Sequence, residues 1–369
     1  MTRTGGGKPA PRAITRVDVA RYAGVSEAVV SYVVNNGPRP VAPATADRVR
    51  EAIAVLGYQP NANARALKLG TAGLIGLLVP DTSNPFFAEY ALAIERESTQ
   101  RGLALLIANS GSDMTVEAAL LTDLVDRQLD GLIVAWAGGP PVEQPMPGAA
   151  SAIPRVFIDS AMPVPGNMTV GADKHDGALQ AVRHLIDVHG HETVAMVMGR
   201  GARAVTDERE TGWRDALRAV DRPDGPLAYA AFTRLGGYLA GQELLAARPR
   251  PTAVFASSDL LAMGLLRAAH EAGLSIPDDI AIVSFDGTQP TEYCWPPLTT
   301  VRQPITEMAA AAVAAVVDPA TAAHQLFPVD LLIRRSCGCT ELATTDPTAG
   351  AVAAPTSPQQ ATRKARKRS

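Results

Sequence analysis

Two cysteines one residue apart, Cys337-Gly338-Cys339, are the first side chains here whose spacing suggests chemistry, because thiolates bind soft metals and exchange disulfides. Cys294 is the only other cysteine. No second cysteine pair or neighbouring histidine in the sequence completes a zinc spacing, so the pair reads as free thiols and no metal is expected. The six histidines, at 175, 184, 189, 191, 270 and 324, form no His-Glu-x-x-His pattern. Phosphate-binding Gly-x-x-x-x-Gly-Lys, Gly-x-Gly-x-x-Gly and Gly-x-Ser-x-Gly are absent from the sequence. An enzyme is not expected, nor is a cofactor.

A different chemistry is carried by charge. Residues 1–70 hold ten Lys/Arg against four Asp/Glu, a net +6 within a chain whose total is −3, which leaves −9 for the rest. A basic head on an acidic body fits a head that meets a polyanion, and it equally fits a solvated basic face. With 47% hydrophobic residues and only three cysteines among 369 residues, a disordered chain and a disulfide scaffold are both excluded. The longest apolar runs, Leu74–Val79 and Gly131–Trp136, are far short of a bilayer span, so no membrane partner is expected. The first residues lack the apolar stretch of a secretion signal. The expectation is a soluble, reduced, cytoplasmic protein.

These residues need elements to hold them. Residues 1–13, rich in Gly and Pro, read as disordered. From 14 to 59 three short helical patterns follow. Val17, Val19, Ala20 and Ala23 give the first an apolar face that Gly24 ends; Ser26 caps a second carrying Val29, Val30, Val33 and Val34; Ala44–Leu56 forms a third, closed by Gly57. Two helices joined by a short Gly-containing turn make a helix-turn-helix pattern. Residues 60–71 read as a linker. From 72 to 340, short apolar strands alternate with amphipathic helices. Eight strands are expected, at Leu74–Val79, Ala104–Ala108, Gly131–Trp136, Arg155–Asp159, Thr193–Met198, Leu227–Ala231, Ala253–Ala256 and Ile280–Phe285. Alternating strand and helix means α/β with parallel sheets, and this length favours two lobes with a cleft between them. Ligands of such folds bind outside the carboxyl ends of the strands. Residues 341–369 read as a disordered tail with a basic end.

Ile14 through Ser26 (ITRVDVARYAGVS), Val30-Ser31 and Asn35-Asn36 resemble the headpiece of the lactose-repressor (LacI/GalR) family. Leu56-Gly57-Tyr58-Gln59-Pro60-Asn61 is similar to its entry into a hinge helix. Asp81-Thr82-Ser83-Asn84-Pro85-Phe86-Phe87, Asp130-Gly131-Leu132-Ile133, Arg209 with Gly212-Trp213, Ser258-Asp259, Phe285-Asp286 and Pro297-Leu298-Thr299-Thr300 match its core domain, in order.

That resemblance implies an N-terminal all-α headpiece on a two-lobed core of the periplasmic-binding-protein type. The function it implies is a sequence-specific transcriptional regulator, a repressor, whose operator affinity is set by a small molecule. The partners implied are double-stranded DNA with a pseudo-palindromic operator, a carbohydrate effector and a second copy of the chain in a homodimer. Glu27, Ala28, Ser31 and Tyr32 then face base edges, while Thr15, Ser26 and Asn35 position phosphates. In the 60–71 hinge helix Leu67 is the wedge for a central minor-groove step, with Asn61, Ala64 and Arg65 beside it. The effector candidates are Phe86, Phe87, Asp159, Arg209, Phe232, Ser258 and Asp286, with Arg209 and Asp286 as a pair. Asp259 reads as the cap of the helix at Leu260, and His189-Gly190-His191 as a helix-to-strand turn.

The sequence departs from the family in places. Tyr32 stands where many members have Arg, and it offers one hydroxyl and a ring in place of a bidentate guanine contact. Glu27 accepts from cytosine or simply favours the helix N-terminus. Ser258 stands where Asn is frequent, so a purine or another metabolite stays open as effector. The competing class is a solute-binding protein serving a transporter, against which the basic head and the missing signal peptide argue.

Overall fold

The computed structural model describes residues 14–35, 37, 39–59, 72–135, 153–159, 167–200, 207–319 and 324–340. The expectations for 1–13, for the hinge and for the tail fall outside these residues. Three helices come first: α1 (Arg16–Ala23), α2 (Glu27–Asn35) and α3 (Pro43–Leu56). The amide and hydroxyl of Thr15 both donate to the Asp18 carboxylate, at 2.9 and 2.6 Å, which fixes the start of α1. Gly24, at φ +63°, ends it in the left-handed conformation that costs other residues energy. Val19, Val30, Val49 and Ala52 are fully or almost fully buried against one another, with Val29, Val33 and Leu56 packed around them. The spacing of three or four residues puts each set on one helix face.

The first lobe is built from β1 (Leu74–Val79), α4 (Pro85–Gln100), β2 (Ala104–Asn109), α5 (Met114–Asp126), β3 (Gly131–Ala135), β4 (Arg155–Ile158) and β5 (Met168–Ala172). The second comprises α6 (Lys174–Asp187), β6 (Val194–Arg200), α7 (Glu208–Arg218), β7 (Leu227–Ala231), α8 (Arg234–Ala246), β8 (Ala253–Ala256), α9 (Asp259–Glu271), β9 (Ala281–Asp286), a short 3-10 turn (Gln289–Tyr293) and β10 (Thr299–Arg302). The chain then returns: α10 (Ile305–Val317) packs on the first sheet and β11 (His324–Phe327) joins its edge, before β12 (Asp330–Leu332) pairs with β10. The six-stranded sheets run β11-β5-β4-β3-β1-β2 and β12-β10-β9-β8-β6-β7, parallel throughout apart from β12. The chain therefore crosses between lobes three times, at 172–174, 302–305 and 327–330.

Strand residues alternate between two packed faces. On β1, Ile75, Leu77 and Val79 meet α4, while Leu78 faces Leu121 and Leu124 of α5. On β6, Met196 and Met198 share a core with Trp213, while Ala195 and Val197 meet α8 and α9. Sheets covered on both faces need such continuously apolar strands.

The described residues hold twelve strands, where eight were expected. The four missed are β5, with Thr169 and Gly171 within it, β10, and the short edge strands β11 and β12. Edge strands need few apolar residues, because one side pairs with nothing.

Candidate functional site

In the three-helix unit, α2 stands out as a short helix whose first turn is open to solvent. The Ser26 carbonyl accepts from the Val29 amide at 3.0 Å, and its hydroxyl oxygen lies 3.4 Å from the same amide. Glu27 and Ala28 are exposed. The Glu27 carboxylate receives both Nε and Nη2 of Arg16 at 3.2 Å, so it neutralises a neighbouring cation as well as occupying a helix N-terminus. Ser31 is half-buried, and its carbonyl and hydroxyl accept from the Asn35 side-chain amide at 3.0 and 3.3 Å. Tyr32 is half-buried too, its ring folded onto Gly37, whose N–H bonds the Tyr32 carbonyl at 3.0 Å. Thr15 spends its hydroxyl hydrogen on Asp18, leaving oxygen lone pairs for an outside donor. Exposed Arg21, Arg39, Arg48 and Arg50 complete a basic surface. Asn61, Ala64, Arg65 and Leu67 lie outside the described residues.

Between the lobes, acidic and basic side chains converge where strands end. Asp159 follows β4 at φ +57°, and Asp286 ends β9 at φ +114°; left-handed backbone on a non-glycine residue at a strand end is the kind of strain that functional sites hold. Lys174, in the first turn of α6, is buried and reaches across to Asp159, with Nζ 2.6 Å from Oδ1 and 3.0 Å from the main-chain oxygen. α6 packs on the second sheet and β4 lies in the first, so this ion pair latches one lobe to the other. A second link joins Glu89 of α4 to the backbone N–H of Gln289 at 2.9 Å.

Arg209 is buried at the start of α7. Its fork grips Asp207 through Nε and Nη2, both at 2.8 Å, and Nη1 donates to the Ser257 carbonyl at 2.7 Å. Burial works to raise the Asp207 carboxyl, but the charge and hydrogen bonds of Arg209 outweigh it and hold Asp207 well below the usual carboxylate range. The guanidinium lies 5.4 Å from the Phe232 ring and 5.5 Å from that of Phe285. Phe232 itself lies over Gly199, where any Cβ would fall within 2.2 Å of the ring.

Asp286 accepts from Gln303 Nε2 at 3.0 Å. Burial pushes its carboxyl well up, the Asp259 charge adds to this, and Arg209 pulls the other way. Two buried oxygens nearby in the network, Tyr90 Oη and Gln303 Oε1, have no hydrogen-bond partner among the described residues. Asp159 adds to the rise of the Tyr90 hydroxyl that burial begins, which ties Tyr90 to the same electrostatic centre. Orphaned polar atoms of this kind are uncommon in a folded interior and point to an absent partner.

Arg209 forms its ion pair with Asp207, and its charge also acts on Asp286, the other member of the expected effector pair. One expectation is corrected by this geometry. Ser258, not Asp259, caps α9, its hydroxyl oxygen accepting from Leu261 N at 3.3 Å. Asp259 is a buried hub that accepts from Ser284, Thr300 and both the amide and hydroxyl of Thr288. Phe86 packs edge-on against Phe87 and Tyr90 with little exposed surface, which leaves the half-buried Phe87 as the more accessible ring. Lys174, Asp207, Tyr90 and Gln303 were not anticipated. One signal was available: a lysine in a helix's first turn opposes the dipole, and a residue held there against it has a reason.

Residues 16–61 match the family model "Bacterial regulatory proteins, lacI family", and residues 182–337 match "Periplasmic binding protein-like domain". The chain is 35% identical over 311 residues to the HTH-type transcriptional repressor PurR of Pectobacterium carotovorum, across 84% of this chain and 91% of that protein. The chain belongs to the lacI family of bacterial regulators. The ribose operon repressor of Escherichia coli is 34% identical over 297 residues, covering 80% of this lacI-family chain and 89% of the relative. Among solved structures, a lac repressor dimer bound to operator and the anti-inducer ONPF superposes with a TM-score of 0.77 at 26% identity, covering 88% of this chain and 99% of that one. As a lacI-family member the chain is a DNA-binding transcriptional repressor with an effector-binding core, not an enzyme. No helix among its described residues is long and apolar enough to cross a membrane.

Proposed function

We propose that this repressor binds a pseudo-palindromic operator as a homodimer, and that a hydroxyl-rich small molecule of the sugar class, seated between the lobes, sets its affinity. Residues 14–59 are the reading head, 60–71 the hinge helix with Leu67 as wedge, and 72–340 the effector and dimerisation unit. The observation that carries the effector reading is the convergence of Asp159, Lys174, Arg209 and Asp286 beside the two orphaned oxygens of Tyr90 and Gln303.

Sugar hydroxyls donate to carboxylates and accept from Arg and Lys, so such a set satisfies several at once. Phe87 and Phe232 offer flat surfaces for the apolar side of a ring. A hydroxyl competing for Asp159 would weaken the Lys174 latch, so ligand contact and lobe geometry share one ion pair. That gives the effector a differential interaction with two lobe arrangements, which a population shift requires. A purine is the second reading: the Gln303 carbonyl oxygen would accept from a ring N–H.

The dimer reading draws support from Tyr293 and Trp295, which are 77% and 87% exposed. Rings of this kind left in water mark interaction surfaces.

The test has two arms. Selection of random duplexes by the purified chain, alone and with pooled metabolites, should retain a pseudo-palindrome with a flexible central step. Calorimetry with pentoses, hexoses, disaccharides and purine bases should then give heat with a sugar. Heat with a purine alone would replace the sugar reading, and recovery of unenriched DNA under every condition would sink operator recognition.

A further inference from the structure

Apart from the cleft, one cluster of side chains has the donors, distances and burial of a binding site. His184 lies in the last turn of α6 and His189 in the loop that follows, while Cys337 and Cys339 sit in the turn after β12. His184 Nε2 is 3.4 Å from Cys337 Sγ and 3.6 Å from Cys339 Sγ, and His189 Nε2 is 3.4 Å from Cys339 Sγ. All four donor atoms lie within 4.8 Å of one another, two of the residues being buried and two half-buried.

These distances have a simple geometric meaning. Arms of about 2.3 Å to sulfur and about 2.0 Å to nitrogen, set tetrahedrally, give edges of about 3.3 to 3.8 Å. The three contacts fall inside that range, and shifts of about 1.5 Å or less, mainly by the half-exposed His189 and Cys339, would bring in the rest. As hydrogen bonds between neutral thiols and imidazoles, the same contacts are weak.

We propose that His184, His189, Cys337 and Cys339 together bind one zinc ion. Two sulfurs and two nitrogens in a tetrahedron are the donor set zinc favours, and no carboxylate stands among them to suit magnesium or calcium. All four positions come from this chain, so the site is closed and structural. It ties the end of α6 to the segment that follows the edge strand of the second sheet.

The surroundings agree with this. Thr299 Oγ1 donates to Cys337 Sγ at 3.1 Å, an outer contact of the type that orients a ligating thiolate. The His184 and His189 rings meet edge to face at 5.0 Å, with both Nε2 atoms on the thiols. Gly338 sits at φ +111°, and any Cβ there would come within 3.0 Å of His189 Nδ1, so the turn between the cysteines leaves that ring its place. Burial lowers both imidazoles from their ordinary value, which favours the ring form with a lone pair to give. Burial also pushes the Cys339 thiol up to about 11, and the ion displaces that proton to solvent, as it does the one on Cys337. His191 stands aside, bonded to Thr252 Oγ1 at 3.0 Å.

The test uses the full chain, reduced, stripped with a chelator and never exposed to a metal affinity column. Zinc titrated against a chromogenic chelator should show one tight equivalent per chain. Cobalt in its place should give sulfur-to-metal charge-transfer bands and the intense ligand-field absorption of a tetrahedral ion. His189→Gln and Cys339→Ser should each weaken zinc by at least roughly tenfold, while Cys294→Ser leaves it unchanged. His189→Gln lies at a half-exposed loop position, and circular dichroism checks that each variant folds. Zinc should also slow alkylation of Cys337 and Cys339 in the unsubstituted chain, a reading that needs no variant. A reduced chain that takes no zinc from the indicator, cobalt bound without sulfur bands, or equal affinity in folded His189→Gln and Cys339→Ser would each overturn the site.

Discussion

Charge is used in opposite ways at the two ends of this molecule. In the headpiece, Arg16, Arg21, Arg48 and Arg50 stand at or near the surface, and Arg16 shares a carboxylate whose own side chain is half exposed. In the core, Lys174 and Arg209 have side chains only 8% exposed, and each is committed to one aspartate. The difference follows from the partner. Phosphates form a long array that any solvated cation approaches at little cost, with affinity governed by counterion release. A small ligand has a few polar atoms, and recognising them takes desolvated groups held in fixed geometry, which must be paired when the ligand is away.

The contrast can be broken most severely at Arg209. Arg209→Met leaves the half-buried Asp207 without its partner, and losing one side of a buried pair costs up to about 3–5 kcal/mol, less where one side is partly solvated. Denaturant unfolding should show that loss in the core transition, calorimetry should show no effector heat, and the headpiece should keep its salt-dependent affinity for nonspecific DNA. Preserved core stability would mean that the pair is not buried as described.

The next largest effect is expected in the hinge. Leu67→Ala should reduce operator affinity by about tenfold or more, because an inserted wedge exchanges a few kcal/mol of unstacking for added contact. Effector affinity should stay constant. Unchanged operator binding in a fluorescence titration would remove the wedge role.

Asp286→Asn sharpens the comparison from the other side, since it should stabilise the protein while weakening its ligand. Burial raises the Asp286 carboxyl above its unfolded value, so its ionisation opposes folding above the unfolded pKa, and the opposition grows as pH rises toward the folded one. Asn has no such cost. At neutral pH a gain of 1 kcal/mol would raise Tm by about 2–4 °C, and the gain should vanish as pH falls through the ordinary carboxylate range. A lowered Tm at neutral pH in a scanning calorimeter would contradict the sign.

The smallest effect is expected at Glu27. Glu27→Gln frees Arg16 and removes a negative charge from the DNA side, which should tighten nonspecific binding by less than about fivefold, as suits an exposed pair. Added salt should erase the gain. A loss of operator affinity that persists at high salt would mean that Glu27 reads a base.

Much of the fold was legible because apolar periodicity survives burial. β1 occupies Leu74–Val79 as expected, and α10 occupies Ile305–Val317. β11 was not legible, because a short edge strand beginning His-Gln carries too little hydrophobic signal. As effector candidates, Asp159 and Asp286 were singled out by their strand-end positions and Arg209 by its place opening a helix, together with family resemblance. Their partners were not: Lys174 meets Asp159 only because two sheets face each other, and pairing across a cleft leaves no periodic trace. The same holds for His184 and Cys337, brought together across more than 150 residues of chain.

The three crossings between lobes also bear on synthesis. β11 adds the last strand to the first sheet only after β6 to β10 have been made, and β12 closes the second sheet three residues beyond β11. A nascent chain therefore lacks the last strand of the first sheet until residue 327, and that of the second until residue 332, has left the ribosome. The headpiece needs no such wait, since among the described residues its core is formed by its own three helices and Tyr58. A message truncated near residue 300 would thus leave both halves of the sensor unfinished beneath a finished DNA-binding head.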